Sequence, residues 1–192
     1  MQEKTIEVFQ KSNALLAGHF LLTSGKHSNI YLEKFLVLQH PEYTAELAKA
    51  IAKHFKEKKI DVVVGAAVGG IILAYETARQ LKVRGIFMER EEGKLTLRRG
   101  FSIAEGEKVL IVEDIVTTGG SVLEVIDKVK EYKGDIAGVG VLINRSGGDL
   151  KFDVPETYFL AKVDVNSYEP GDCPQCKEGV PLTKRGSKHL KK

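Results

Sequence analysis

Apolar positions in this chain fall into two alternating kinds of run. Short unbroken runs, as in DVVVG (61–65), RGIFMER (84–90), VLIV (109–112) and residues 136–143, predict strands buried on both faces. Between them the apolar residues recur at helical spacing: from Pro41 to about Lys58, from the AAVGG turn (66–70) through Leu81, and in EVIDKVKEY (124–132). Strands and helices alternating in this order predict a doubly wound α/β fold with a mainly parallel sheet. Such a sheet binds its ligands at the carboxyl ends of its strands.

Upstream, residues 3–16 place Ile6, Phe9 and Leu16 on one helical face, with Val8 and Leu15 towards its edge. HFLLTSGKHSNIYLEK (19–34) carries apolar clusters on both sides of a Ser-Gly turn and predicts two short strands around a polar loop. The expected organisation is a single domain over 1–192, with an N-terminal helix and hood (1–40), a core (41–165) and a tail (166–192).

Composition changes this picture little. Hydrophobic residues make up 43% and charged residues 29% of the chain, ordinary values for a globular protein. A net charge of +3 is too small and too evenly spread for a nucleic-acid surface. The longest apolar runs are strand-length, far short of a membrane span, and MQEKTIEVF has no signal-peptide pattern. A cytoplasmic enzyme with small-molecule partners is the expected class, with no nucleic acid and no membrane. The pair Cys173 and Cys176 has C-x-x-C spacing, half of a structural zinc site. No second such pair exists and His189 is the only histidine nearby, so the reading is a reduced, partly buried pair with no metal assigned. RGSKHLKK (185–192) reads as a disordered basic tail.

One stretch carries most of the chemistry: VLIVEDIVTTGGS, residues 109–121. A buried strand disfavours carboxylates, and a helix interior disfavours glycines. Gly119 and Gly120 let the backbone approach a ligand closely where the next helix begins. A helix N-terminus receives phosphate through its free N–H groups and dipole, and Thr117, Thr118 and Ser121 add hydroxyl donors. Glu113 and Asp114 would repel that phosphate but suit the hydroxyl groups of a sugar, or hydrated magnesium. A phosphate site beside a diol site describes a ribose 5-phosphate. A plain capped helix would explain TTGG alone, but not two consecutive acids at the exit of a buried strand.

This stretch resembles the phosphoribosyl-diphosphate (PRPP) motif of type I phosphoribosyltransferases. Three further segments make the chain resemble orotate phosphoribosyltransferases in particular. They are the S-G-K-x-S loop in FLLTSGKHSNIY (20–31), the strand-ending arginine in VLINRSGG (141–148), and CPQCKEGVPLTKRGSK (173–188). The resemblance implies a type I phosphoribosyltransferase fold with a small N-terminal hood of short strands and a helix. It also implies Mg²⁺ as cofactor and transfer of the phosphoribosyl group from PRPP to orotate in pyrimidine synthesis. Residues 113–121 (Glu113, Asp114, Ile115, Val116, Thr117, Thr118, Gly119, Gly120 and Ser121) would bind PRPP, together with Lys26, Arg90 and Lys94. Arg145 would take the orotate carboxylate with its planar fork, and Thr117 would touch the base as well. Arg90, Lys94 and Asp114 would serve catalysis. EREEGKLTLRRGF (89–101) matches the family's mobile loop, which acts across the subunits of a homodimer, with Arg98 and Arg99 as helpers.

The chain departs from the family pattern at three places. Gly69 stands where many relatives carry a lysine for the diphosphate, Thr23 where many carry a lysine in the hood, and Thr96 near a histidine of some relatives. Arg90 or Lys94 is expected to make up the missing charge at Gly69. Two other readings compete: a purine or uracil phosphoribosyltransferase, and a PRPP-sensing regulator that has lost catalysis.

Overall fold

The protein is described by a computed structural model covering residues 1–22 and 24–185. Thr23, His189 and the basic tail beyond Arg185 lie outside the described residues. In chain order the elements are α1 (Gln2–Lys11), β1 (Leu15–Leu21), β2 (His27–Leu32), α2 (Lys34–Leu38), α3 (Pro41–Phe55), β3 (Val62–Ala66), α4 (Gly69–Leu81), β4 (Arg84–Glu91), β5 (Lys94–Leu97) and β6 (Lys108–Val116). They continue with α5 (Gly120–Glu131), β7 (Asp135–Asn144), β8 (Thr157–Lys162), β9 (Ser167–Tyr168), α6 (Pro174–Lys177) and β10 (Thr183–Lys184).

Among the described residues the larger sheet has strand order β5-β4-β3-β6-β7-β8, parallel throughout except for the edge strand β5. Its central strand β6 shows why the apolar run is unbroken. Leu110 and Val112 pack on one face with Leu47, Ile51 and Leu73 of α3 and α4, while Val109 and Ile111 pack on the other with Val122 and Val125 of α5. Each face of the strand needs its own apolar set, because helices cover both sides of a parallel sheet.

The N-terminal helix is shorter than its apolar spacing predicts. It stops at Lys11, Ser12 Oγ donates back to the Val8 carbonyl at 2.9 Å, and Asn13 takes a left-handed conformation with φ 54°. Asparagine tolerates that conformation well, and it reverses the chain. Leu15 and Leu16 therefore belong to β1 rather than to the helix.

The charged stretch 89–101 also differs from a simple loop. β4 and β5 form an antiparallel hairpin whose two-residue turn, Glu92 (φ 50°) and Gly93 (φ 84°), has the left-handed pair that matches strand twist. Leu95 supplies the reason: it is buried in the core on the α5 side of the sheet. The second sheet, of order β10-β1-β2-β9, is the hood, and it is assembled from both ends of the chain.

Candidate active site

β6 runs on past its apolar run and carries both acids as strand residues, so Glu113 and Asp114 point to opposite faces. Glu113 enters the wall of a cleft of about 250 Å³ formed with segment 115–122 and Arg90. Gly119 caps α5 with φ 79°, and a side chain there would meet the Phe152 ring. Glycine is thus required at that position on two counts. The first residues of α5, a helix of 12, line the same cleft and give it the anion-binding end of the helix.

Asp114 turns away to the other face, where the Lys34 ammonium lies 3.0 and 2.9 Å from its two carboxylate oxygens. Asp114 is 1% exposed, and its Oδ2 receives no hydrogen bond of good geometry despite the nearby charge. The cation at this spot also accounts for Gly69. A Cβ on residue 69 would overlap Asp114 Oδ2, and the Lys34 nitrogen would be 3.0 Å from it. The space that a side chain at 69 would need is already filled by a carboxylate and by a lysine reaching in from α2. The cation that stands at this position is Lys34.

The electrostatics of the pair follow from burial. Burial, reinforced by the Asp114 charge, pushes the Glu113 carboxyl from 4.5 up to about 8. Burial also raises Asp114, with Lys34 acting against it, and the Asp114 charge holds Lys34 above its usual range despite burial. In the unliganded protein Glu113 keeps a proton that the unfolded chain has lost between these two values. Folding stability therefore falls as pH rises through that window. A Glu113→Gln variant holds the neutral form at every pH. Its melting temperature relative to wild type is expected to climb between about pH 5 and pH 8 and to level off above. A constant difference across that range in parallel thermal melts would count against the raised carboxyl.

A second cleft of about 300 Å³ shares Thr117 and Thr118 with the first and adds Arg145, Ser24 and Ser167. The Arg145 N–H donates to the Val116 carbonyl at 2.8 Å, which ties the residue to the motif strand. Its guanidinium is half-buried and burial lowers its pKa; among the described residues no carboxylate pairs with it. Half-buried cations without a counter-ion are costly, and an anionic ligand removes the cost.

The other expected residues are placed differently. Arg90 rims the first cleft but is held by both oxygens of Glu124, at 2.9 and 2.8 Å, and also donates to the Gly93 carbonyl at 2.6 Å. Lys26 pairs with Glu169 at 3.0 Å, and among the described residues neither Lys26 nor Lys94 lines either cleft. Arg98 and Arg99 pair with Glu89 and, for Arg98, also Glu91. Lys34, Ser24 and Ser167 are the residues that the motif reading missed. Nothing local marks Lys34, since its partner lies 80 residues away.

Known proteins agree with this geometry. The family model for the phosphoribosyl transferase domain matches residues 36–169. An orotate phosphoribosyltransferase of Caldanaerobacter subterraneus subsp. tengcongensis is 50% identical over 98% of this chain and 99% of its own. One from Pelotomaculum thermopropionicum is 52% identical, again over 98% of this chain and 99% of its own. Among solved structures, the orotate phosphoribosyltransferase of Aeropyrum pernix has a TM-score of 0.62 at 22% identity, covering 82% of this chain and 93% of that one. An adenine phosphoribosyltransferase from Rhodothermus marinus reaches a TM-score of 0.64 at 24% identity, over 84% of this chain and 100% of that one. At those identities the solved structures speak for the fold alone, whereas the sequence relatives reach across the hood, the motif and the tail. The chain belongs to the orotate phosphoribosyltransferase family, a branch of the type I phosphoribosyltransferases.

Proposed function

We propose that the protein transfers the phosphoribosyl group of PRPP to N1 of orotate, yielding orotidine 5′-phosphate and diphosphate in pyrimidine synthesis. The observation that carries this reading is the shared wall of the two clefts: Thr117 and Thr118 join a phosphate-binding helix end to a half-buried Arg145 that has no carboxylate partner among the described residues. A purine has no carboxylate for such a guanidinium, and neither has uracil.

The reaction forms the N1–C1′ bond as the bond from C1′ to the diphosphate oxygen breaks, and the electron pair leaves with diphosphate. Thr117, Thr118, Ser121 and the first amides of α5 hold the 5-phosphate. Arg145 grips the orotate carboxylate and turns N1 towards C1′. Glu113 accepts hydrogen bonds from the ribose hydroxyls, which favours its ionised form, while Lys34 holds Asp114 on the other face. Lys34 supplies the charge that a lysine at position 69 supplies in many relatives. Arg90 exchanges Glu124 for the leaving diphosphate, whose growing charge it meets in the transition state. No side chain is assigned as base for the N1 proton.

Among the residues on the cleft wall, Glu113, a buried carboxylate, fits Mg²⁺. Held at Glu113, the ion would neutralise charge on the diphosphate.

The decisive assay is the loss of orotate ultraviolet absorbance on adding protein, PRPP and Mg²⁺, run beside adenine and uracil. Orotate consumption that needs both additions is expected. Consumption of adenine or uracil instead would replace this reading, and PRPP binding without turnover would favour a sensor.

The working unit proposed here is a homodimer. Val68, Ile72 and Tyr75 form an exposed apolar stripe at i, i+4, i+7 spacing on α4, with exposed Phe35 on the neighbouring α2. A second copy would cover it. Sedimentation velocity is expected to give twice the chain mass, reduced to one in a Tyr75→Asp variant; a monomeric wild type would remove the dimer.

A further inference from the structure

The half of a zinc site seen in the sequence is completed by residues some 150 positions away. His19 and His27 lie on the β1–β2 hairpin, where Leu21 pairs with His27. His19 lies within the register shift between Ala17 and Phe20, and its ring centroid stands 4.9 Å from that of His27. Cys173 caps the single turn of α6 and Cys176 lies within it, and both reach the two rings from the C-terminal segment.

Four ligand atoms converge there, all within 4.8 Å of one another. His19 Nε2 lies 3.0 Å from His27 Nδ1, 3.4 Å from Cys173 Sγ and 3.7 Å from Cys176 Sγ. His27 Nδ1 is 3.2 Å from Cys176 Sγ. A tetrahedron with zinc–nitrogen and zinc–sulfur bonds of ordinary length has N···N edges of about 3.3 Å and N···S edges of about 3.6 Å.

Hydrogen bonds explain this cluster poorly. His19 Nδ1 lies 2.8 Å from the Val180 carbonyl, which can only accept, so Nδ1 carries the proton and Nε2 presents a lone pair. One lone pair cannot serve three neighbours, whereas one cation can accept a lone pair from each of four ligands. The Val180 contact is also the kind of outer hydrogen bond that orients a metal-bound histidine.

Packing points the same way. From Cys173 to Arg185 the chain is almost wholly exposed, yet Cys173 itself is 0% exposed. Among the described residues the protein contacts that hold this segment are thin: the short β1–β10 ladder, the His19–Val180 contact and the Gln175 amide donating to Gly18 O at 3.2 Å. Too little apolar surface is buried to fix the segment, a situation in which small structures rely on metal ligation.

We propose that His19, His27, Cys173 and Cys176 bind a structural zinc ion that staples the C-terminal segment onto the hood. The staple lies on the hairpin whose connecting loop contributes Ser24 to the second cleft, so zinc would hold the base pocket in shape without touching substrate. Two sulfurs and two nitrogens in a closed tetrahedron suit zinc better than magnesium or calcium, which take oxygen.

The test uses the full chain, purified under reducing conditions with no metal-affinity tag and no chelator, and measures zinc by elemental mass spectrometry. About one zinc per chain is expected for wild type, and close to none for Cys173→Ser and for His19→Ala. Should those variants fail to fold, wild type stripped of metal and loaded with Co²⁺ decides: thiolate-to-cobalt charge transfer and intense tetrahedral d–d bands are expected. Wild type with no zinc after reconstitution, or with octahedral cobalt spectra, overturns the proposal. So does a Cys173–Cys176 disulfide in protein that takes up no zinc, which would give the pair a redox role.

Discussion

An Arg145→Ala variant is expected to lose about 10²- to 10³-fold in kcat/KM for orotate while still binding PRPP. Removing a charged hydrogen-bond partner and leaving a carboxylate unpaired in a cleft costs roughly 3–4 kcal/mol, and each tenfold in rate is about 1.4 kcal/mol. The side chain is half-buried and has no carboxylate partner of its own, so its loss breaks no internal ion pair and the fold should persist. Arg145→Lys separates charge from shape. It keeps a cation but loses the planar fork, and about a tenfold deficit is expected to remain. Orotate absorbance assays with PRPP titrated separately check both variants. Near-wild-type turnover by Arg145→Ala would move the base site elsewhere and take the orotate assignment with it.

Gly69→Ala is expected to be nearly as damaging, through a different physical route. The added Cβ overlaps Asp114 Oδ2, and Asp114 is fixed on the central strand β6, so either the carboxylate or the start of α4 must shift. Overpacking of this kind costs about 1–3 kcal/mol of stability. Displacing a group that positions substrate by about 1 Å costs on the order of 10²-fold in rate. Both losses should appear together, in thermal melts and in kcat. Gly69→Lys, which restores the residue of many relatives, should be no better, because Lys34 already occupies that space. A fully active Gly69→Lys variant would show that Lys34 and Asp114 can give way, and the pairing argument would fail with it.

The parts of the structure legible in the sequence are those written in short-range patterns. Strand β6 and helix α5 were readable because their apolar residues repeat at the strand and helix periods. The turn between them was readable because threonines, serine and glycines have few other reasons to stand together. Errors arose where a local feature overrode the period. Leu15 and Leu16 fit a helical face, but the left-handed Asn13 ends the helix before them. A charge run such as 89–101 suits a solvated hairpin as well as a mobile loop, and what its charge conceals is the buried Leu95 of Lys94–Leu97. Long-range pairing was out of reach altogether. Lys34 meets Asp114 and His19 meets Cys173 only because the sheets bring them together, and no spacing rule encodes such distances.

The hood's strand order β10-β1-β2-β9 has a consequence for how the chain is made. The parallel sheet needs nothing beyond β8, and its strands are complete once Lys162 has emerged from the ribosome. The hood cannot close then, because its edge strands β9 and β10 follow β8 in the chain, although their partners β1 and β2 precede the whole parallel sheet. The nascent protein thus holds a finished phosphate cleft beside an open second cleft, and Ser167 reaches its wall only after the parallel sheet is complete.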